Sequence, residues 1–165
     1  MDNILGVADY IFTEYKKISG EFIDEMKLHK LLYFAQRESL ALTGKELFEC
    51  DFEGWKYGPV SPSVRAVFVA NDGINAEKVE ISDEAKYIIK NVIFEYGIYS
   101  SWKLSEISHK EISWLNSRKG LDENDCGSNK LALEDIIEDA KKVRPYDHIW
   151  DMYYDEFENV EEPNS

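Results

Sequence analysis

No run of about 20 apolar residues occurs in the chain, so no segment is long enough to cross a bilayer as a helix. Its first residues, Met1-Asp2-Asn3, also lack the basic start and apolar stretch of a secretory leader. Both absences predict a cytoplasmic protein with no membrane partner. Cysteine is scarce: Cys50 and Cys126 have neither metal-ligand spacing nor the density of a disulfide scaffold, and reduced thiols are expected. His29, His109 and His148 lie far apart, none with a carboxylate or cysteine at zinc-ligand spacing, so no metal site is predicted. Gly54, Gly58 and Gly73 sit at turn positions rather than in a phosphate-cradling loop, and no cofactor is expected.

Catalytic signatures are equally sparse. Ser105 and His109 are four residues apart and can share a helix face, a spacing compatible with a nucleophile and its base in a small hydrolase. No nucleophile elbow, oxyanion loop or orienting acid accompanies them. The preferred reading is structural: Ser105 supports the backbone of a short helix, His109 hydrogen-bonds near its end, and the protein is not an enzyme. Positive charge is the last deficit, with 19 Lys and Arg against 33 Asp and Glu, a net charge of −14. Residues 121–165 hold fourteen of the acids against four basic residues. Such a surface repels phosphate backbones and attracts basic partners, which argues against nucleic acid.

What the chain does contain is one globular domain's worth of sequence. At 165 residues, 44% of them apolar, it can bury roughly 70% of its unfolded surface. Apolar residues from Ile4 to Ile18 recur every three or four positions, predicting a first helix over 3–18. A second runs from an Asp24 cap to Gly44, with Leu28, Leu31, Leu32, Tyr33, Phe34 and Ala35 implying a central, largely covered helix. Phe48, Cys50 and Phe52 alternate like a half-buried strand, which Gly54 interrupts as a bulge and Gly58-Pro59 ends. Ser61 and Pro62 then cap and open a helix over 62–71. Residues 77–81 alternate again and are a candidate partner strand. Helices follow at 82–97, 101–108, 112–118 and 131–143, with 119–129 a long loop. The expected fold is mainly α, a single helical domain over 1–145 with a small antiparallel sheet or hairpin.

An acidic, aromatic tail over 146–165 completes the chain. Tyr146, Ile149, Trp150, Tyr153 and Phe157 fall at helical spacing among Asp147, Asp151, Asp155, Glu156 and Glu158. This face either covers the protein's own core or joins a partner surface. In the second case Trp150, Tyr153 and Tyr154 are its anchors, and the carboxylates hasten encounter with a basic partner.

The densest stretch is Trp55-Lys56-Tyr57-Gly58-Pro59-Val60, where aromatics with polar tips suit a core edge and a recognition surface equally. That run, with Met26-Lys27-Leu28-His29-Lys30-Leu31-Leu32-Tyr33-Phe34-Ala35-Gln36 and Leu40-Ala41-Leu42-Thr43-Gly44-Lys45, resembles the Panacea-domain (SocA-like) antitoxin family of bacteria and phages. Glu95-Tyr96-Gly97, Ser101-Trp102-Lys103-Leu104-Ser105, Ser108-His109 and Trp114 are similar to its second signature block. The resemblance covers about residues 3–118. It implies a prophage-associated or bacterial toxin–antitoxin pair in which this chain neutralises a cognate toxin by direct binding. Some relatives act instead as adaptors that deliver the toxin to a cytoplasmic protease. It further implies that Lys27, Leu28, Lys30, Tyr33, Gln36 and residues 55–60 build the shared core and its exposed rim. Arg37-Glu38-Ser39 and Ser61 depart from the family pattern, which puts the toxin's identity in question rather than the fold.

Overall fold

The computed structural model describes residues 1–75 and 79–143. Among them are seven helices, α1 (Ile4–Ser19), α2 (Glu25–Thr43), α3 (Pro62–Asn71), α4 (Asp83–Tyr96), α5 (Ser101–Ser108), α6 (Ile112–Ser117) and α7 (Leu133–Lys141). One antiparallel hairpin, β1 (Glu53–Trp55) and β2 (Gly58–Val60), interrupts them. No described helix is long and apolar enough to cross a membrane. Local signals set the boundaries as the sequence predicts. Asn3, Asp24, Ser61, Ser82 and Ser100 each cap a helix by accepting a backbone N–H, while Gly20 and Gly44 close α1 and α2 in the left-handed region.

α2 is the axis of the molecule. Every residue from Lys27 to Leu40 is buried, and the helix packs against α1, α3, α4, α5, α7 and β2. Leu28, Leu31, Leu32, Phe34 and Ala35 meet Val7, Ala8 and Ile11 of α1 and Ile88, Ile89 and Val92 of α4 in one core. A helix enclosed on all sides must satisfy whatever polar groups it carries. α2 does so by hydrogen-bonding its neighbours' backbones. Gln36 accepts from the Leu47 and Phe48 amides at 2.9 and 3.2 Å and donates to the Phe48 carbonyl at 2.9 Å. Its side-chain amide thus stands where a neighbouring strand would.

Here the structure corrects the expected strand. Phe48 and Phe52 are buried as the alternation implied, but Phe48 forms only an isolated bridge with Asp2, and the ladder begins at Glu53. Gly54 lies inside β1 rather than at a bulge, and Gly58-Pro59 do not end pairing: they form β2. Residues 77 and 78 of the expected partner strand lie outside the described residues. Val79 and Ile81 pack on Gly6 of α1, so this segment seats on a helix and adds nothing to the sheet. Ile18, in the apolar series of the first helix, is exposed, as are Leu133 and Ile137 of α7. The acidic aromatic tail, with Trp150, Tyr153 and Tyr154, lies outside the described residues.

Midway along α2, Tyr33 donates to Asp139 Oδ2 of α7 at 2.9 Å and shares a 2.8 Å hydrogen bond with Ser113. Asp139 also accepts the Ile112 and Ser113 amides at 2.6 and 3.0 Å, capping α6 from a different helix. Asp139→Ala would leave those amides unpaired in the interior and the Tyr33 hydroxyl with Ser113 as its remaining partner. It is expected to cost about 3 kcal/mol in urea unfolding, with the m-value unchanged.

Candidate functional site

The hairpin is too short to satisfy its own backbone, and its polar groups show where support must come from. The Gly54 amide donates to Asn129 O at 2.8 Å and its carbonyl accepts from Arg118 Nη1 at 3.1 Å, both away from β2. The Gly54–Pro59 pair is therefore one across which no ladder bond runs, and the missing proline N–H costs nothing. Side chains from three helices reach the hairpin's carbonyls. Trp114 Nε1 donates to Trp55 O at 2.8 Å, Ser105 Oγ to Tyr57 O at 2.7 Å, and Lys30 Nζ to Pro59 O at 3.1 Å. The loop 119–129 is a connector: Leu131 N donates to Phe52 O at 2.9 Å, so its end runs beside β1.

Gly58 makes this arrangement possible. Its φ of 118° is open to glycine and strained for other residues, and a Cβ there would strike the Lys30 chain and Ser108 Oγ. Lys30 is consequently 1% exposed, and burial pushes its ammonium down to about 7. Beside it, His29 Nδ1 accepts the Ser61 amide at 3.2 Å, which places the ring proton on Nε2, hydrogen-bonded to Glu25 Oε2 at 3.0 Å. Burial holds this histidine below its ordinary value. Glu25 also accepts Arg65 Nη1 at 2.6 Å, and the hydrogen bond from His29, then that from Arg65, keeps its carboxyl low against the opposing cost of burial.

These residues frame a cleft enclosing about 400 Å³. α2 supplies Glu25, Met26, His29 and Lys30; the hairpin Trp55, Lys56, Tyr57 and Val60; α3 Arg65; and the connector Asn124 and Cys126. Arg65 sits over the Trp55 ring at 5.3 Å. On the other side of the hairpin tip is a hollow of about 290 Å³ walled by Lys56, Tyr57, His109, Trp114, Arg118 and Leu121. Tyr57 stands between the two, 42% exposed, edge-on to Trp102 at 5.2 Å, and Trp102 is 64% exposed. His109 stacks on Trp114 at 4.1 Å.

The sequence-predicted residues divide accordingly. Leu28, Lys30, Tyr33, Gln36, Gly58, Pro59 and Val60 are buried, and Lys27 spans Tyr15 OH and Gly97 O at 3.0 Å each, closing the end of α4. Trp55, Lys56, Tyr57 and His109 reach the surface. The Ser105 hydroxyl spends its proton on Tyr57 O and lies 3.4 Å from His109 Nε2, while burial holds His109 below its ordinary value. That geometry braces the hairpin tip: Ser105 supports the hairpin's backbone rather than that of its own short helix. Both cysteines are free thiols, Cys126 exposed and Cys50 partly buried with its thiol pushed up to about 11. Among the described residues no group of three or more His, Cys, Asp or Glu is placed to hold a metal ion.

Sequence reasoning missed Arg118, Arg37, Glu111 and Asp139. Arg37 joins Glu111 of the α6 cap in an ion pair, donates to Tyr96 OH at 2.7 Å and stacks on Phe34 at 4.7 Å. Neighbouring Glu38 is pushed up to about 7 by burial; its Oε1 lies 3.4 Å from Arg37 Nη2 and its Oε2 has no partner among the described residues. The only sequence signal was the departure from the family pattern at Arg37-Glu38-Ser39. Nothing in that run names Glu111 or Tyr96 as partners.

Compared with known proteins, residues 28–115 match the model of the family described as antitoxin SocA-like, Panacea domain. The antitoxin SocA of Caulobacter vibrioides is 47% identical over 49 residues, 30% of this chain and 26% of that relative. The chain thus spans about a quarter of that relative's length. No solved structure matches.

Lys30 gives the site a measurable signature. Its folded value near 7 lies below the unfolded value near 10.5, so the unfolded chain binds more protons between these limits and stability rises with pH across them. Lys30→Met is expected to stabilise the protein by about 2 kcal/mol at neutral pH, with the gain shrinking toward pH 10. Urea unfolding of both proteins across that range checks it.

Proposed function

The chain belongs to the SocA-like Panacea-domain family of antitoxins, and from that premise we propose that it neutralises a cognate toxin by binding it directly, through the surface around the hairpin tip. One observation carries this reading: Tyr57, on a tip held by side chains of α2, α5 and α6, stands exposed beside the cleft and edge-on to the exposed Trp102 of α5. Large aromatics on a rigid mount lose little freedom on binding and are favoured at interface centres. Ser105 and Trp114 beneath them act at one remove, since a partner touches the tip that they hold in place. The tail over 146–165 is proposed as an accessory that speeds encounter through its carboxylates.

The first experiment is co-expression with the product of the adjacent reading frame, scoring growth rescue and co-purification together. Direct neutralisation requires rescue with a stable complex. Tyr57→Ala and Trp102→Ala are each expected to weaken that complex by roughly 2 kcal/mol while leaving thermal stability close to that of the parent. Rescue without a complex, accompanied by loss of the toxin, would overturn direct neutralisation in favour of delivery to a protease. Removing residues 146–165 is expected to slow association and flatten its salt dependence; an unchanged rate in a folded protein would remove the tail from the reading.

A further inference from the structure

The cleft runs against the charge of the molecule around it. The chain carries −14, yet the charged groups lining this cleft are Lys30, Lys56 and Arg65 against Glu25 alone. Glu25 is already occupied by His29 and Arg65. The other acid nearest Lys30 is Asp24, whose Oδ1 caps the Lys27 amide and whose Oδ2 accepts from Ser101 at 2.6 Å. Lys30 therefore forms no ion pair among the described residues, and of its three N–H donors Pro59 O takes one. A buried ammonium without a counter-charge is costly to keep, and here it sits against an open apolar cleft walled by Met26, Trp55, Tyr57 and Val60.

We propose that this cleft is a socket for an acidic side chain of the toxin, an Asp or Glu that pairs with Lys30 against the Met26 and Trp55 walls, with Lys56 and Arg65 at the mouth. The proposal rests on the toxin-binding reading and adds the chemistry of the contact. The socket seeks an acid on the toxin, the opposite sign from what the tail would seek. A chain terminus is a poorer fit than a side chain, because captured terminal carboxylates are held by free backbone amides, and the Ser61 amide already donates to His29.

A carboxylate arriving beside Lys30 favours the charged amine, so binding draws a proton from solution above neutral pH. The groups facing Lys30 are Asp24, Glu25 and His29 on α2, Lys56 on the hairpin, Arg65 on α3 and His109 at the end of α5. Both histidines are held below their ordinary value and stay neutral in that range, which leaves Lys30 as the source of the uptake.

The test is calorimetric titration of the full chain with the purified product of the adjacent reading frame near pH 8, in phosphate and in Tris, whose ionisation enthalpies differ. Uptake approaching one proton is expected for the parent chain. Lys30→Met should abolish the uptake and weaken binding roughly 30-fold or more, and Lys56→Glu at the surface should weaken it several-fold. Tight binding with no proton uptake, unaffected by either substitution, would overturn the socket and leave toxin binding intact. No complex at all, with the chain folded, would overturn both.

Discussion

Everything in this fold depends on how a fully enclosed helix satisfies polar side chains that have no access to water. α2 buries fourteen consecutive residues, among them Lys27, His29, Lys30, Tyr33, Gln36 and Arg37. Each finds its partner on another element, and most partners are backbone groups that no regular structure would satisfy: the end of α4, the first residue after the hairpin, the outward carbonyl of Pro59 and the irregular run at Leu47-Phe48. Buried donors and acceptors left unpaired cost more than the pairs gain, so this arrangement specifies a single packing of irregular segments around one helix. Apolar burial alone would tolerate many.

The hairpin is the segment this arrangement serves most. Three residues per strand cannot form a stable sheet in isolation, and this one is held because Arg118, Trp114, Ser105 and Lys30 take its exposed carbonyls. The result is a rigid tip with Tyr57 at its apex and a hollow on either flank. Lys30 belongs to two accounts at once. It anchors Pro59 and, by remaining buried without an acid, withholds stability from the fold, a pattern more often found where a site awaits a ligand than where packing alone is at issue.

A second polar cluster lies on the α4–α6 side of α2, where Arg37 links Glu111, Glu38 and Tyr96. Burial pushes Glu111 as well as Glu38 up to about 7, although Arg37 opposes the shift at both. Glu111 pairs with the guanidinium at close range, whereas Glu38 Oε1 lies 3.4 Å from it and Oε2 has no partner among the described residues, so the charged form is favoured more at Glu111 than at Glu38. This cluster occupies the position at which the chain leaves its family's pattern. The other departure, Ser61, directly follows the hairpin, where it caps α3 and its amide donates to His29.

The sequence by itself determined the helices, because caps and apolar periodicity are local: Asp24 and Gly44 bound α2, Ser61-Pro62 open α3, and Ser82 opens α4 as their side chains require. It also marked the residues around the hairpin through a resemblance that the family match bears out. It misplaced the strand, since the alternation of Phe48, Cys50 and Phe52 reports which side chains are buried and is silent on what pairs with the backbone. Only the tertiary structure decided that Gln36 takes the place of a strand there, that Gly54–Pro59 is the pair able to tolerate proline, and that Asp139 caps a helix 26 residues before it in the chain. Those are contacts between residues far apart in sequence, set by where the core brings them, and no local period encodes them.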